Sequence, residues 1–166
     1  MHYRKASHFD ILAVKSLWKE VFGDSDDYIG NFITHFGIEN CYVCELNEKI
    51  TAMAFAIPTT LSYFAHRRAN NFKYLYACAT LPDYRGQGMM RKLLSTIFDE
   101  SSNEKCAGIF LHPADKNLGH FYRKLGFEDF FYCEHFWYYK EKLLAQQSLP
   151  VKSFHFISPK TYPTSA

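Results

Sequence analysis

The sequence predicts a mixed α/β (α+β) fold in one domain, and three observations lead there. The hydrophobic period switches repeatedly between helical and strand spacing, in the order β-α-α-β-β-β-α-β-α-β-β. The length of 166 residues is that of one domain with a substantial core, needing neither metal nor disulfide. Apolar residues make up 48% and aromatic residues 18%, which excludes disorder and points to a core or pocket rich in rings.

After a short extended start at Tyr3 to Ala6, Ile11, Val14, Leu17, Trp18, Val21 and Phe22 recur at helical spacing and stop at Gly23. Ser25 stands where an N-cap belongs, Asp26 and Asp27 suit a first turn, and the stripe Tyr28, Ile29, Phe32, Ile33, Phe36 ends at Gly37. From Cys41 to about Phe64 the composition is that of strands, broken by a hairpin turn at Leu46 to Lys49. His66 to Asn71 reads as another turn, followed by the strand FKYLYACAT. Pro58 implies a bulge or an edge position, because proline donates no ladder bond.

A helix with Met90, Leu93, Leu94, Ile97 and Phe98 on one face comes next, then a buried strand in CAGIFLHP. A last helix spans Lys116 to Leu125, before Gly126, and FEDFFY and EHFWYYKEKL read as closing strands. Residues 1–145 are expected to form the domain. Residues 146–166 form a tail with three prolines, and the sequence leaves open whether it docks as an extended strap or stays mobile.

A net charge of +2 gives no footprint for nucleic acid, so no nucleic-acid partner is expected. Five cysteines, an odd number at scattered positions, do not resemble a secreted disulfide framework and fit a reducing cytoplasm. Cys41 and Cys44 form a CxxC inside an apolar run without a second ligand pair, so they read as buried strand thiols and no metal is expected. The amino terminus has no apolar run behind its basic residues, and no stretch is long and apolar enough to span a bilayer. A cytoplasmic protein without a membrane partner is therefore expected.

The most informative stretch is DYRGQGMMRKLL, residues 83–94, in which an arginine and two glycines precede an amphipathic helix. A strand entering a glycine-rich turn that opens a helix aims several backbone N–H groups at the positive end of the helix dipole, where phosphate is attracted. The other reading is a surface turn whose glycines solve only a backbone problem. A Walker loop needs GK[ST], which is absent, and a Rossmann turn needs a third glycine where Arg91 stands.

ATLPDYRGQGMMRKLL followed by FYRKLGF resembles the GNAT superfamily of acyl-CoA-dependent N-acyltransferases, over roughly Tyr74 to Phe127. The family's pyrophosphate loop, [RQ]-x-x-G-x-[GA], is matched by Arg85 and Gly88, while Met90 departs from its last position. The resemblance implies a GNAT-like domain with a mixed central sheet of about six or seven strands and helices on both faces. It implies acetyl-CoA as acyl donor, with its diphosphate on Arg85, Gly86, Gln87, Gly88, Met89 and Met90. The pantetheine arm would run along the backbone of Cys78, Ala79 and Thr80, near a bulge, with Asn117 beside it. Tyr122 matches the tyrosine near the sulfur, where a phenol can protonate the leaving thiolate.

Many relatives keep a glutamate on the fourth strand, and this chain has none there. His112, Tyr76 and Glu45 are the candidate bases, with water as the alternative. The acceptor is expected to be a small-molecule or peptide amine. It would enter beside the first two helices, the turn with Arg67 and Arg68, and the closing-strand rings Phe131, Tyr132, Trp137 and Tyr138. A homodimer through exposed strand edges is compatible with the sequence, as is a catalytically silent acyl-CoA-binding regulatory module.

Overall fold

Strict alternation along two neighbouring strands builds two cores back to back. The structure, a computed structural model, describes residues 1–63, 67–133 and 152–157. Strands β2 (Cys41–Leu46) and β3 (Lys49–Tyr63) pair antiparallel. Cys41, Val43, Met53, Phe55 and Ile57 point to one face, and Tyr42, Cys44, Ala52, Ala54 and Ala56 to the other. Helices α1 (Ile11–Phe22) and α2 (Asp26–Phe36) cover the first face through Val14, Leu17, Trp18, Ile29 and Ile33. Helix α3 (Met89–Asn103) covers the second with Met89, Leu93, Leu94 and Ile97, whose bulk sits over the small alanines.

The remaining strands are β1 (His2–Lys5), β4 (Arg67–Thr80), β5 (Gly108–Leu111), β6 (Glu128–Cys133) and β7 (Lys152–Ile157). Helix α4 (Lys116–Arg123) follows β5. Among the described residues the sheet runs β1-β2-β3-β4-β5-β7-β6, with only β4 and β5 parallel. Helices stand on both faces of a mixed sheet, as the resemblance implies.

Three details differ from the sequence reading. Residues 67–71, expected as a turn, are strand: Arg67, Arg68 and Ala69 pair with Tyr63, Ser62 and Leu61. Cross-strand pairing overrides their polar composition, and Asn71, with φ of 65°, marks a bulge in the ladder rather than its end. Second, Met89 joins the core face of α3 and is 1% exposed, while Met90 is only half buried. Third, the strand paired with β5 and β6 is β7, from the tail. The closing strand expected over residues 134–143, with Trp137 and Tyr138, lies outside the described residues.

Pro58 sits opposite Lys73, in the part of β3 beyond its pairing with β2, an edge position among the described residues. Cys41 and Cys44 are fully buried, and burial pushes the Cys41 thiol far up, so it carries no thiolate. Among the described residues no helix is long and apolar enough to cross a membrane.

Candidate active site

The parallel pair splits to make the site. β4 and β5 are in register from Phe72 opposite Gly108 to Leu75 opposite Leu111, and there the pairing stops. Beyond it β4 is kinked: Tyr76 faces Phe55 and Ala79 faces Met53, so Ala77 and Cys78 share one partner position. Ala77 takes up the extra residue with φ of 49°, a conformation that costs a non-glycine residue about 1 kcal/mol or more. The chain leaves β5 through Pro113 and enters α4, whose N-cap Asp115 accepts the Leu118 N–H at 2.8 Å. A cleft results, and the edge of β4 from Tyr76 to Thr80 lies open along it, without a strand neighbour on that side among the described residues.

One arm of the cleft is a groove of about 690 Å³. Cys78, Ala79 and Thr80 form one wall, Arg85, Gly86, Gly88, Met89 and Met90 the entrance of α3, and Asn117 and Tyr122 the opposite side. Gly86 and Gly88 have φ of 75° and 77°, and a Cβ at either would meet nothing within 4 Å, so their backbone faces open space. The first intrahelical bond at this end runs from Lys92 N–H to Gly88 O at 3.1 Å. The amides of Gly86 to Arg91 accordingly have no backbone acceptor among the described residues, and they stand at the amino end of α3, the positive end of its dipole. Arg85 donates Nε to Thr80 O at 3.1 Å, which clips the loop to β4 and leaves the rest of its guanidinium exposed. Gln87 turns away, its Nε2 donating to Asp83 O at 3.2 Å, so only its backbone belongs to the loop.

The other arm is a cavity of about 610 Å³ between β4, the end of β5 and the α1–α2 turn. Phe22, Cys78, Leu118 and Tyr122 line both arms, so the two meet at Tyr122 and Cys78. Tyr122 is 6% exposed and held by edge contacts to Phe121 and Phe127, with ring centroids 5.2 and 5.6 Å away. Its phenol stands beside the Cys78 thiol, where the two arms meet. Burial pushes the phenol far above its ordinary value, and the neighbouring Cys78 adds to the rise. Burial likewise pushes the Cys78 thiol up to about 11, although the neighbouring Tyr122 phenol opposes the rise. A proton is therefore kept on the tyrosine oxygen at the junction of the two arms.

Of the candidate bases, His112 lines the second arm, half buried at the end of β5. Tyr76 lines it too, but burial and a 2.9 Å hydroxyl contact with Tyr28 raise its phenol, so it holds its proton. Glu45 is not part of the site: it lies on β2 and accepts from Arg4, which also forms a bidentate pair with Asp10. Arg67, Arg68, Phe131 and Tyr132 are placed only as backbone, in β4 and β6.

Sequence reasoning missed Trp18, Asp24 and Tyr74 in this arm. Trp18 and Tyr74 are indistinguishable from core rings by periodicity. Asp24 has a local signal, being a short polar residue between the left-handed C-cap Gly23 and the N-cap Ser25, in a turn too short to belong to either helix.

The model of the acetyltransferase (GNAT) domain matches residues 2–130 of this chain. A GCN5-related N-acetyltransferase from Anabaena variabilis is 25% identical with a TM-score of 0.67, over 77% of this chain and 32% of its own. The chain thus spans about a third of that protein's length. The ribosomal-protein-S18-alanine N-acetyltransferase of Escherichia coli is 17% identical with a TM-score of 0.67, covering 95% of this chain and 92% of that one. The ribosomal-protein-alanine N-acetyltransferase of Brucella melitensis is 13% identical with a TM-score of 0.66, over 95% and 99%. No curated protein matches the sequence.

Proposed function

Because this chain belongs to the GNAT acetyltransferase family and is an acyltransferase, we propose that it moves an acetyl group directly from acetyl-CoA to a primary amine. The observation that carries the reading is the meeting of the two arms at Tyr122 and Cys78. The groove has the chemistry that coenzyme A requires. Free amides, a helix N-terminus and Arg85 suit a diphosphate. The open edge of β4 suits the amide-bearing pantetheine arm as an added strand. Asp115, which also lines the groove, is occupied by its capping bond to Leu118.

The donor supplies a thioester carbonyl. In this reading the residues of the chain do the rest. Backbone N–H groups near Cys78 and Ala79 polarise the carbonyl oxygen. The amine nitrogen, arriving neutral from the second arm, forms the new C–N bond as the C–S bond breaks. The Tyr122 hydroxyl passes its proton to the departing sulfur. The proton shed by the nitrogen returns to the tyrosine or leaves through His112 and water. Burial that raises the phenol also raises a thiolate formed beside it, as the value of Cys78 illustrates, so donor and recipient shift in the same direction.

The test is release of free thiol from acetyl-CoA across a panel of primary amines. A sign follows from Tyr122. Its phenol is raised, and the proton-bearing form is the one required, so that form persists through neutral and moderately alkaline pH. The expected kcat/KM on total amine rises with pH toward the acceptor's own pKa, with no descending limb below about pH 10. A fall between about pH 7 and 9 would remove Tyr122 from the role of acid.

A further inference from the structure

The acceptor arm holds one carboxylate among its described lining residues, Asp24, and the mechanism above leaves it unused. Asp24 stands in the short turn between α1 and α2. Its Oδ2 accepts the Trp18 indole N–H at 2.8 Å, which fixes its direction from within the core. Its Oδ1 takes no hydrogen bond among the described residues, and no cation of the chain pairs with it there. Around it the arm is lined by the rings of Trp18, Phe22, Tyr74 and Tyr76. The Tyr76 ring is held by stacking on Phe32, with centroids 5.0 Å apart and planes at 18°, and by its hydroxyl contact with Tyr28. A carboxylate oxygen with no partner among the described residues, in a cavity walled by aromatic rings, is a place for a cation.

The chemistry says which cation. The reacting nitrogen must be neutral to attack, and a carboxylate bonded to it would stabilise its ammonium form and suppress the reaction. The same carboxylate bonded to a second positive group would hold the acceptor without that penalty. We propose that the acceptor is a compact dication, a primary amine carrying a second ammonium group. Its second charge rests on Asp24 among the rings, and its free nitrogen is presented to the junction at Tyr122 and Cys78. This deepens the acyl-transfer reading and depends on it.

The probes are a matched pair, 1,4-diaminobutane and 1-aminobutane, assayed by thiol release from acetyl-CoA. Wild type is expected to favour the diamine through a lower KM. Asp24→Asn is expected to raise the diamine KM by roughly 10- to 100-fold, the range for a hydrogen bond to a charged group, with the monoamine KM unchanged. Asparagine retains an oxygen for the Trp18 N–H, and calorimetric binding of coenzyme A unchanged from wild type confirms that the variant is folded. Asp24→Glu, which keeps the charge, restores part of the preference. Equal KM values for the two amines in wild type, or equal losses for both in Asp24→Asn, overturn the dication while acyl transfer stands. Absence of thiol release with any amine overturns the acyl-transfer reading and this inference together.

Discussion

Replacing Tyr122 by phenylalanine is expected to lower kcat by about 10²- to 10⁴-fold, the usual contribution of a placed general acid, with coenzyme A affinity unchanged. The substitution removes one oxygen and keeps the ring, so the edge contacts with Phe121 and Phe127 persist and the buried packing of α4 is preserved. What disappears is the proton aimed at the sulfur position. A merely structural role predicts another result, because the loss of the buried hydroxyl would then appear in the unfolding temperature and leave kcat alone. The measurement is single-turnover thiol release beside calorimetric titration with coenzyme A. Wild-type turnover in Tyr122→Phe would sink the assignment. An acyl donor with a more acidic thiol should narrow the gap between the two proteins, since a better leaving group needs the proton less.

The second large effect concerns the loop before α3. Arg85→Glu and Gly88→Val are each expected to weaken coenzyme A binding by about tenfold or more, by different routes. Arg85→Glu replaces a cation beside the free amides with an anion and removes the clip to Thr80 O, while leaving the φ values of the glycines available. Because Arg85 is exposed, the loss should shrink as salt is added. Gly88→Val acts through the backbone. A φ of 77° is an outlier for a β-branched residue, so the entrance of α3 must rotate and its free amides shift, even though a Cβ there meets no atom within 4 Å. The buried face of α3, with Leu93, Leu94 and Ile97, is untouched in both, so thermal unfolding should remain cooperative. Wild-type calorimetric affinity in both variants would show that the diphosphate is held elsewhere.

Much of this loop was legible in the sequence because its chemistry is local. Left-handed φ values at Gly86 and Gly88 and the stripe of α3 are encoded within a few residues of one another, and turn chemistry and periodicity read such encoding directly. The same local reading misjudged residues 67–71. Polar and asparagine-rich, they resemble a turn by composition, yet pairing with Leu61, Ser62 and Tyr63 makes them strand. It also passed over Trp18 and Tyr74, since an aromatic residue lining a cavity and one filling a core obey the same spacing.

By itself, then, the sequence determined most of the alternation of helices and strands and the glycine turn, which depend on neighbours along the chain. Only the tertiary structure decided that the ladder between β4 and β5 stops at Leu75 and Leu111. The same holds for the kink at Ala77, and for the meeting of Tyr122 with Cys78 in a cavity that also contains Asp24. The physical reason is that register and splay are set by packing between segments far apart in the chain. A carboxylate in a turn, a thiol on a strand and a phenol on a helix carry no trace of one another until the sheet brings them together.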